Sequence, residues 1–297
     1  MGCALQEDGM MENAAKCLAR SYTLRPRSQT LLRIATMLPV IPRSTTDIKE
    51  ARENFEAGID ELEKSGVAML NPAHETEPTG FYLSYHGLCD RALNEKLARF
   101  YEKACPSLLF TSPRIGKGSS PSGPNNNRIR IGFISKFLRN HTVGHYVRGI
   151  ISNLSKDLFD ITLFLIPQPQ DEITRSVSAH ADRTVTLSPH FEKAREEISD
   201  AGMDVLVYAD IGMEPFSYFM AFARLAPLQC AFYGHPDTTG IRNIDYFISH
   251  EDCETAKARE HYTEQLFLLP GSVAYTCFHR PSEAEGIAGA DRSGEHV

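Results

Sequence analysis

The second half of the chain alternates short β-rich runs with helical ones, and this alternation constrains the fold most strongly. Seven runs are rich in β-branched and aromatic residues: IRIGFIS, DITLFLI, RTVTL, MDVLVYAD, PLQCAFYG, DYFIS and EQLFLLP. Segments with helical periodicity separate them. Such alternation is typical of a largely parallel sheet with helices on both faces. The sequence therefore predicts a Rossmann-like α/β region.

The first hundred or so residues have helical periodicity in three segments, AAKCLARSYTL, IKEARENFEAGIDELEKSG and LNEKLARFYEKAC, and are predicted to form a helical region. In the second of these segments, Ala51, Phe55, Ile59 and Leu62 are spaced four, four and three residues apart. This spacing places them on one apolar stripe of an amphipathic helix, opposite a charged face. The segment is predicted to be a packed scaffold helix.

The opening of the chain has the spacing of a solenoid repeat. Small residues at Ala14 and Ser21 would let two helices approach closely, and Pro26 would end the second helix. A chance amphipathic hairpin is the alternative. A true repeat cannot bury its face alone, so further sequence upstream or an unusual cap is then expected. The positions that match a tetratricopeptide repeat are Gly2, Leu5, Gly9, Ala14, Leu18, Ser21 and Pro26.

Composition divides the chain into four parts. Residues 1–112 form the predicted helical region, and the polar, glycine- and proline-rich residues 113–127 form a predicted linker. The Rossmann-like region is predicted over residues 128–281. A small, polar tail over residues 282–297 has no strand pattern.

Charge and hydropathy exclude two classes of partner. The chain has 297 residues, of which 42% are hydrophobic, as in an ordinary globular protein. A net charge of -7 without a dense Lys/Arg cluster argues against nucleic-acid binding. No apolar run approaches the roughly 20 residues that span a bilayer, and the N-terminus lacks a signal-peptide pattern. We therefore expect neither nucleic acid nor a membrane as partner.

The cysteines indicate a reducing compartment. They are odd in number, widely scattered and never in CxxC spacing, so neither a disulfide framework nor a zinc site is predicted. A cytoplasmic protein fits this pattern best. The seven are Cys3, Cys17, Cys89, Cys105, Cys230, Cys253 and Cys277.

Three polar segments follow predicted strands. They are RNHTVGH (residues 139–145), DIGMEP (residues 210–215) and GHPDTTG (residues 234–240). Ligands of parallel α/β sheets gather at the carboxyl ends of the strands, so these segments should converge on one edge. Each combines a glycine with hydrogen-bonding groups. One such loop is usually only a turn, but the convergence of three favours a binding site.

Metal and dinucleotide chemistry have little support. His141 and His145 are four residues apart, but the HExxH glutamate and a third ligand are missing. We expect no metal. No GxGxxG turn follows the first strand, which weakens the case for a dinucleotide oxidoreductase. A flavodoxin-like small-molecule enzyme would need a phosphate loop, which the sequence also lacks.

Five segments, in order, carry a resemblance to a known family: FYLSYHGLCDRALNEKLARFYEKACP, RIRIGFISKFLRNHTVGH, MDVLVYADIGMEP, LAPLQCAFYGHPDTTGIRNIDYFISH and YTEQLFLLPGS. Over roughly residues 81–281 the chain resembles the SPINDLY and O-linked N-acetylglucosamine transferase family, glycosyltransferase family 41, and more narrowly its bacterial-type SPINDLY-like members. The tetratricopeptide-like start agrees, since family members carry such repeats ahead of the catalytic region.

The resemblance implies a GT-B glycosyltransferase, in which two Rossmann-like domains face each other across a nucleotide-sugar. It also implies that this chain carries only the first of the two domains. In the family the second domain supplies most nucleotide contacts, including an important lysine. The tail RPSEAEGIAGADRSGEHV is too short for such a domain. We therefore expect half of an active site, with the other half lost to truncation or supplied by another chain.

By the same resemblance, His141 matches the family histidine at the sugar end of the donor pocket, which was proposed as a base. A neutral imidazole can accept a hydroxyl proton or hydrogen-bond the sugar. Asn140 and Thr142, on either side of it, are expected to contact donor or substrate. His145 matches a second family histidine and is expected to be structural.

Gly234 and Pro236 match the family loop that approaches the donor sugar, where a missing side chain lets backbone and ligand come close. Thr238 and Thr239 fall in the same loop and are expected to bond sugar or phosphate. His235, also expected at the donor, replaces an aromatic residue of the metazoan loop. The sugar preference of metazoan members therefore need not carry over.

The motif around the histidine departs from the metazoan pattern. Phe137 stands where that pattern has an acidic residue, and Thr142 and Val143 replace a proline and a threonine. A mechanism that relies on that carboxylate is therefore not expected in this chain.

The expected activity is transfer of N-acetylglucosamine or fucose to Ser or Thr of an acceptor protein. The donor would be UDP-N-acetylglucosamine or GDP-fucose, and no further cofactor is expected. The alternative is a noncatalytic module, derived from such an enzyme, that binds a protein partner or a nucleotide.

Overall fold

Three of the six α-helices described in the first part of the chain lie where periodicity predicts them. The structure, a computed structural model, describes residues 1–75, 80–115 and 128–271. Most of the predicted linker and all of the predicted tail lie outside these ranges. Two short 3₁₀ helices, Phe81–His86 and Pro106–Leu108, accompany the first helices. The α-helices are α1 (Gly2–Glu7), α2 (Met11–Leu24), α3 (Ser28–Ala35), α4 (Thr45–Ser65), α5 (Pro72–Glu75) and α6 (Arg91–Ala104).

Local signals set the two ends of α4. Ser44 Oγ accepts a hydrogen bond from Asp47 N at 3.0 Å, which caps the N-terminus. Gly66, with φ of 68°, ends the helix in the left-handed conformation that glycine adopts easily. The predicted stripe is confirmed: three of its residues are buried and Ala51 packs against them. The buried three are Phe55, Ile59 and Leu62.

Helices α1 and α2 form a closely packed hairpin. A Cβ atom on Gly2 would lie 2.7 Å from Leu18 Cγ, and Ala14 is fully buried at the same contact. Ser21, in contrast, is exposed. The expectation that Ser21 lines the helix contact was therefore wrong, because it faces solvent. Membership of the hairpin in a tetratricopeptide repeat stays a prediction.

The second part of the chain forms one seven-stranded parallel sheet with strand order β3-β2-β1-β4-β5-β6-β7. All seven predicted β-rich runs are strands of this sheet. The order reverses between β1 and β4, which makes their boundary a topological switch point. The strands are β1 (Ile129–Ser135), β2 (Phe159–Leu165), β3 (Arg183–Thr186), β4 (Val205–Tyr208), β5 (Leu228–Phe232), β6 (Tyr246–His250) and β7 (Gln265–Leu269).

Helices cover both faces of the sheet, as predicted. One face packs on α7 (Thr142–Asn153) and α8 (Glu172–Ala179), and the other on α9 (Phe191–Ala201) and α10 (Pro215–Met220). Two further 3₁₀ helices, Glu251–Cys253 and Ala258–His261, join β6 to β7. Within the described residues, no helix combines the length and the apolar character that crossing a membrane requires.

The helical region and the sheet share one hydrophobic core. The Tyr101 ring of α6 meets the Phe219 ring of α10 edge-on, with centroids 4.8 Å apart. Backbone bonds tie the end of the helical region to the sheet, since Arg224 N donates to Phe110 O and Ser112 N donates to Arg224 O. The predicted boundary at residue 112 therefore marks a change of secondary structure, and packing continues across it.

Candidate functional site

His141 begins helix α7. Its backbone is extended, with φ of -154°, and its Nδ1 accepts a hydrogen bond from Val143 N at 3.2 Å. The amide of His145 donates to His141 O at 3.0 Å, so the second histidine lies one helical turn on, as predicted. The first histidine thus both caps a helix and stands at its positive end, where anions are stabilised.

The His141 imidazole is a neutral donor in this arrangement. Partial burial, then the charge of Arg139, then that of His145 lower the pKa of His141. Because Nδ1 accepts from a backbone N–H, the proton of the neutral ring lies on Nε2. The ring of Phe137 packs against it, with centroids 4.4 Å apart. His141 can therefore donate to a ligand oxygen, and it can act as a base only through a change of tautomer.

The neighbours of His141 contribute unequally. Asn140 Oδ1 lies 3.0 Å from His145 Nε2. The backbone amide of Asn140 donates to Asp171 Oδ2 at 2.6 Å. Thr142 is exposed at the first position of α7. Asn140 therefore holds the turn together, whereas the Thr142 side chain is open to solvent. Their predicted contacts with donor or substrate stay predictions.

Glycines bring the three predicted segments into contact. A Cβ atom on Gly234 would lie only 1.9 Å from Ala209 O, so the loop after β5 touches the end of β4. Tyr146 of α7 donates to the same Ala209 O at 3.1 Å and stacks on Tyr233. A Cβ atom on Gly212 would lie 2.4 Å from the His235 ring. The segments that start at residues 139, 210 and 234 therefore meet at one edge.

The His235 ring lies between the Phe81 ring and the backbone of Gly212. It stacks on Phe81, with centroids 5.0 Å apart and 21° between planes, and its other side meets Gly212. Burial lowers the pKa of His235 to about 4. The ring is therefore neutral at physiological pH and fixed in place, and its predicted donor contact stays a prediction. Pro236, next to it, is exposed.

Thr238 and Thr239 are bonded inside the protein. Thr238 Oγ1 donates to Glu264 Oε2 at 2.6 Å, and Thr239 donates from its amide to Glu264 Oε1 at 2.8 Å and from its hydroxyl to the same oxygen. Both threonines are buried. Their hydroxyls hold the loop to Glu264. The structure therefore adds no support to their predicted contact with sugar or phosphate.

Asp210 is a site residue that the sequence reasoning did not single out, although its segment was. It is fully buried at the end of β4, where it accepts from Ser135 Oγ at 3.1 Å and Lys136 N at 3.0 Å. Burial, then the charge of Glu214, raise the pKa of Asp210 to about 7. An acidic residue directly after a buried strand was the available signal. Asp210 joins β1 to β4 at the switch point.

A cavity of about 670 Å³ opens beside this switch point. Glu214 caps α10 and lies 3.9 Å from Lys136 Nζ. Lys136 and Arg139 line the cavity beside the loop that leads into α7, and Glu214 is the acidic partner of Lys136 in the same lining. The Arg139 guanidinium at this place suits a phosphate-bearing ligand. The lining includes Lys136, Phe137, Arg139, Ile166, Met213 and Glu214.

The described residues offer no obvious metal centre. Across residues 1–75, 80–115 and 128–271, no three or more His, Cys, Asp or Glu side chains are grouped so as to hold a metal ion.

Comparison with known proteins places these features in a family. The family model for Glycosyl transferase family 41 matches residues 117–280. The UDP-N-acetylglucosamine--peptide N-acetylglucosaminyltransferase of Caenorhabditis elegans is 24% identical over 226 residues, covering 75% of this chain and 19% of that protein. A probable SPINDLY transferase of Solanum lycopersicum is 34% identical over 67 residues, covering 23% of this chain and 7% of that protein.

A solved structure shows the same fold. A mutant of the Thermobaculum terrenum O-GlcNAc transferase aligns with a TM-score of 0.56 at 24% identity, covering 90% of this chain and 49% of that one. The architecture is thus a GT-B-like α/β domain preceded by helices. The chain spans about half of that structure and a fifth or less of the curated relatives. Since the family match covers more than half of its residues, the chain belongs to glycosyltransferase family 41.

Proposed function

We propose that this chain takes part in transferring a sugar from a nucleotide-sugar to Ser or Thr hydroxyls of proteins. The observation that carries the proposal is the family match, which spans the His141 helix start and the 234–239 loop. Curated relatives named as peptide N-acetylglucosaminyltransferases support a peptide acceptor. We propose UDP-N-acetylglucosamine or GDP-fucose as donor, with no further cofactor.

In the proposed reaction the acceptor hydroxyl oxygen forms a bond to the anomeric carbon. The bond from that carbon to the nucleotide diphosphate breaks, and the diphosphate leaves with the electron pair. The acceptor proton passes to a base or to solvent. His141 Nε2–H would donate to a sugar or phosphate oxygen, while Lys136 and Arg139 would attract the phosphates. These groups act by position and charge.

The proposal includes a second GT-B domain. The described chain has one Rossmann-like domain, whereas a GT-B site lies between two, so full activity would need the other half from a longer form or another chain. We also propose a cytoplasmic location, because every cysteine among the described residues is unpaired. An acceptor protein and a nucleotide-sugar are the proposed partners.

The test is transfer of radiolabelled sugar from each donor to a lysate. The proteins are this chain, its His141→Asn and His141→Ala variants, and the longest form that the gene encodes. Asn can cap α7 as His141 does but has no imidazole, so His141→Asn separates chemistry from helix capping. Donor affinity is measured by calorimetry in parallel.

Label that depends on His141 in any of these forms supports transferase activity. Label from the chain alone would show that no second domain is needed. Donor binding without label in every form would favour the noncatalytic binding module. No binding and no label would contradict the proposed function.

A further inference from the structure

Two carboxyl groups from different regions meet beside the 234–239 loop. Asp90 lies directly before α6 and is 3% exposed, and the half-buried Asp237 lies within the loop. Although Asp90 stands at the helix start, its side chain makes no capping hydrogen bond there. Instead, it lies within hydrogen-bonding reach of the Asp237 carboxyl group, and both groups line one cavity. A carboxylate cannot donate, so a hydrogen bond between the two groups requires a proton on one of them.

One cation faces this pair directly. The Arg52 guanidinium of α4 donates to Asp90 Oδ1 and, at 2.6 Å, to Cys89 O. Asp237 has neutral donors: Asn94 Nδ2 reaches its Oδ2 at 2.9 Å, and Thr238 N reaches its Oδ1 at 2.8 Å. Two carboxyl groups beside one guanidinium have a net charge of zero only when they keep one proton between them.

The surrounding charges favour the same state. Burial and the charge of Asp90 raise the pKa of Asp237 to about 8, and burial raises the pKa of Asp90. His261, on the 3₁₀ helix before β7, opposes the rise at Asp90. Further titratable groups line the same cavity or bond to the loop: Tyr233, Cys253, Glu254, Tyr262 and Glu264.

The loop is fastened to α6 through these groups. Asn94 Nδ2 also donates to Thr238 O at 3.0 Å, and a Cβ atom on Gly240 would lie 2.3 Å from the Asn94 carbonyl carbon. A cavity of about 460 Å³, lined by Asp90, Pro236 and Asp237, borders the contact. The loop that carries Gly234 and His235 therefore depends on a helix more than 130 residues earlier in the chain.

We propose that Asp237 is a positioning residue, which holds the 234–239 loop against α6 by sharing one proton with Asp90. Because the 234–239 loop is the proposed donor loop, any effect of this contact on catalysis rests on the proposed function. The closed loop binds the proton and the open loop releases it. Opening therefore becomes easier as pH rises from the ordinary aspartate range, about 4, toward the pKa of Asp237 in the closed loop.

The test is amide hydrogen exchange by NMR at Thr239 and Ile241, whose amides donate to Glu264 Oε1 and Thr239 Oγ1. After correction for the intrinsic rate, we expect protection to fall up to about tenfold per pH unit between pH 5 and 7, because opening releases one proton. Asp237→Asn and Asp90→Asn should remove this slope. Asp252→Asn, an exposed acid near the same edge, should keep it.

Protection of the β1 and β4 amides shows whether each variant is folded. A flat profile in the unaltered protein, or an unchanged slope in Asp237→Asn and Asp90→Asn, overturns the inference. UDP-N-acetylglucosamine and GDP-fucose affinities are measured at pH 6 and pH 8 in the same samples. Absence of donor binding would count against the proposed function alone, because the exchange slopes do not depend on a donor.

Discussion

The 139–145 segment and the 234–239 loop lie at the same edge of the sheet, but different interactions hold them. Backbone groups and short-range contacts fix the first: Val143 N bonds His141 Nδ1, and a Cβ atom on Gly144 would lie 2.0 Å from Arg139 O. Buried side chains from distant elements fix the second, through Asn94 and Glu264. The first segment leaves a polar ring half-exposed, whereas the second buries its ring.

This difference separates two tasks at the site. The half-exposed His141, with the charge of Arg139 near it, can make electrostatic contacts with a ligand. Internal hydrogen bonds hold the 234–239 loop in place, and Pro236 is its exposed side chain. We expect substitutions in the loop to cost mainly stability, and substitutions at His141 to cost mainly function. Three predictions test this division, and a fourth concerns Asp210 at the switch point between β1 and β4.

The largest effect is expected from Gly234→Ala. The added methyl would overlap the Ala209 carbonyl oxygen, which is backbone and cannot rotate away. We expect a loss of about 3 kcal/mol in the free energy of unfolding, measured by guanidinium chloride denaturation. Gly87→Ala is the control, since the new Cβ meets nothing and only its φ of 64° is strained, which costs about 1 kcal/mol. Equal losses in the two variants would contradict the overlap.

Thr239→Val should cost about 2 kcal/mol, because the buried Glu264 carboxylate loses a hydroxyl donor while side-chain volume is kept. Urea denaturation measures the change. Thr142→Val, at an exposed position of the 139–145 segment, should change stability by less than about 0.5 kcal/mol. A Thr239→Val protein as stable as the parent would show that the Glu264 bonds do not frame the loop.

Asp210→Asn should alter how stability depends on pH. The pKa of Asp210 is raised in the folded protein to about 7, so the folded state holds a proton that the unfolded state releases. Its stabilising contribution is complete below the unfolded pKa, about 4, and declines by up to about 1.4 kcal/mol per pH unit up to the folded pKa.

Denaturation at pH 5, 6 and 7 measures this slope. Asp210→Asn should reduce it by about one proton, while the same-sign contribution of Asp237 remains. Asp252→Asn serves as the matched control for the charge change. An identical slope in Asp210→Asn and the parent would mean that Asp210 is already ionised.

The smallest effect is expected at His141. His141→Ala should cost about 1 kcal/mol through the lost cap of α7, and His141→Asn should cost less because Asn also caps. Thermal unfolding measures both. His145→Ala, one turn later, should change stability by no more than about 0.5 kcal/mol. If His141→Asn costs as much as His141→Ala, the Val143 bond does not cap the helix.

Local pattern was sufficient for the elements of this fold. The alternation of β-rich and helical runs predicted the parallel sheet, and the Ala51, Phe55, Ile59 and Leu62 stripe predicted the buried face of α4. These signals are readable because periodicity and capping depend on neighbours within a few residues. The order of post-strand segments likewise indicated one edge of the sheet as the site.

The tertiary structure decided which polar groups remain available at that edge. The sequence predicted Thr238 and Thr239 as ligand-binding residues in a loop. In the structure their hydroxyls donate to Glu264, which lies 26 and 25 residues later in the chain. Asp237 meets Asp90 across the junction of two regions, a contact that no local spacing encodes. Periodicity reports which face of an element is buried, but hydrogen-bond partners and pKa values depend on packing between distant segments.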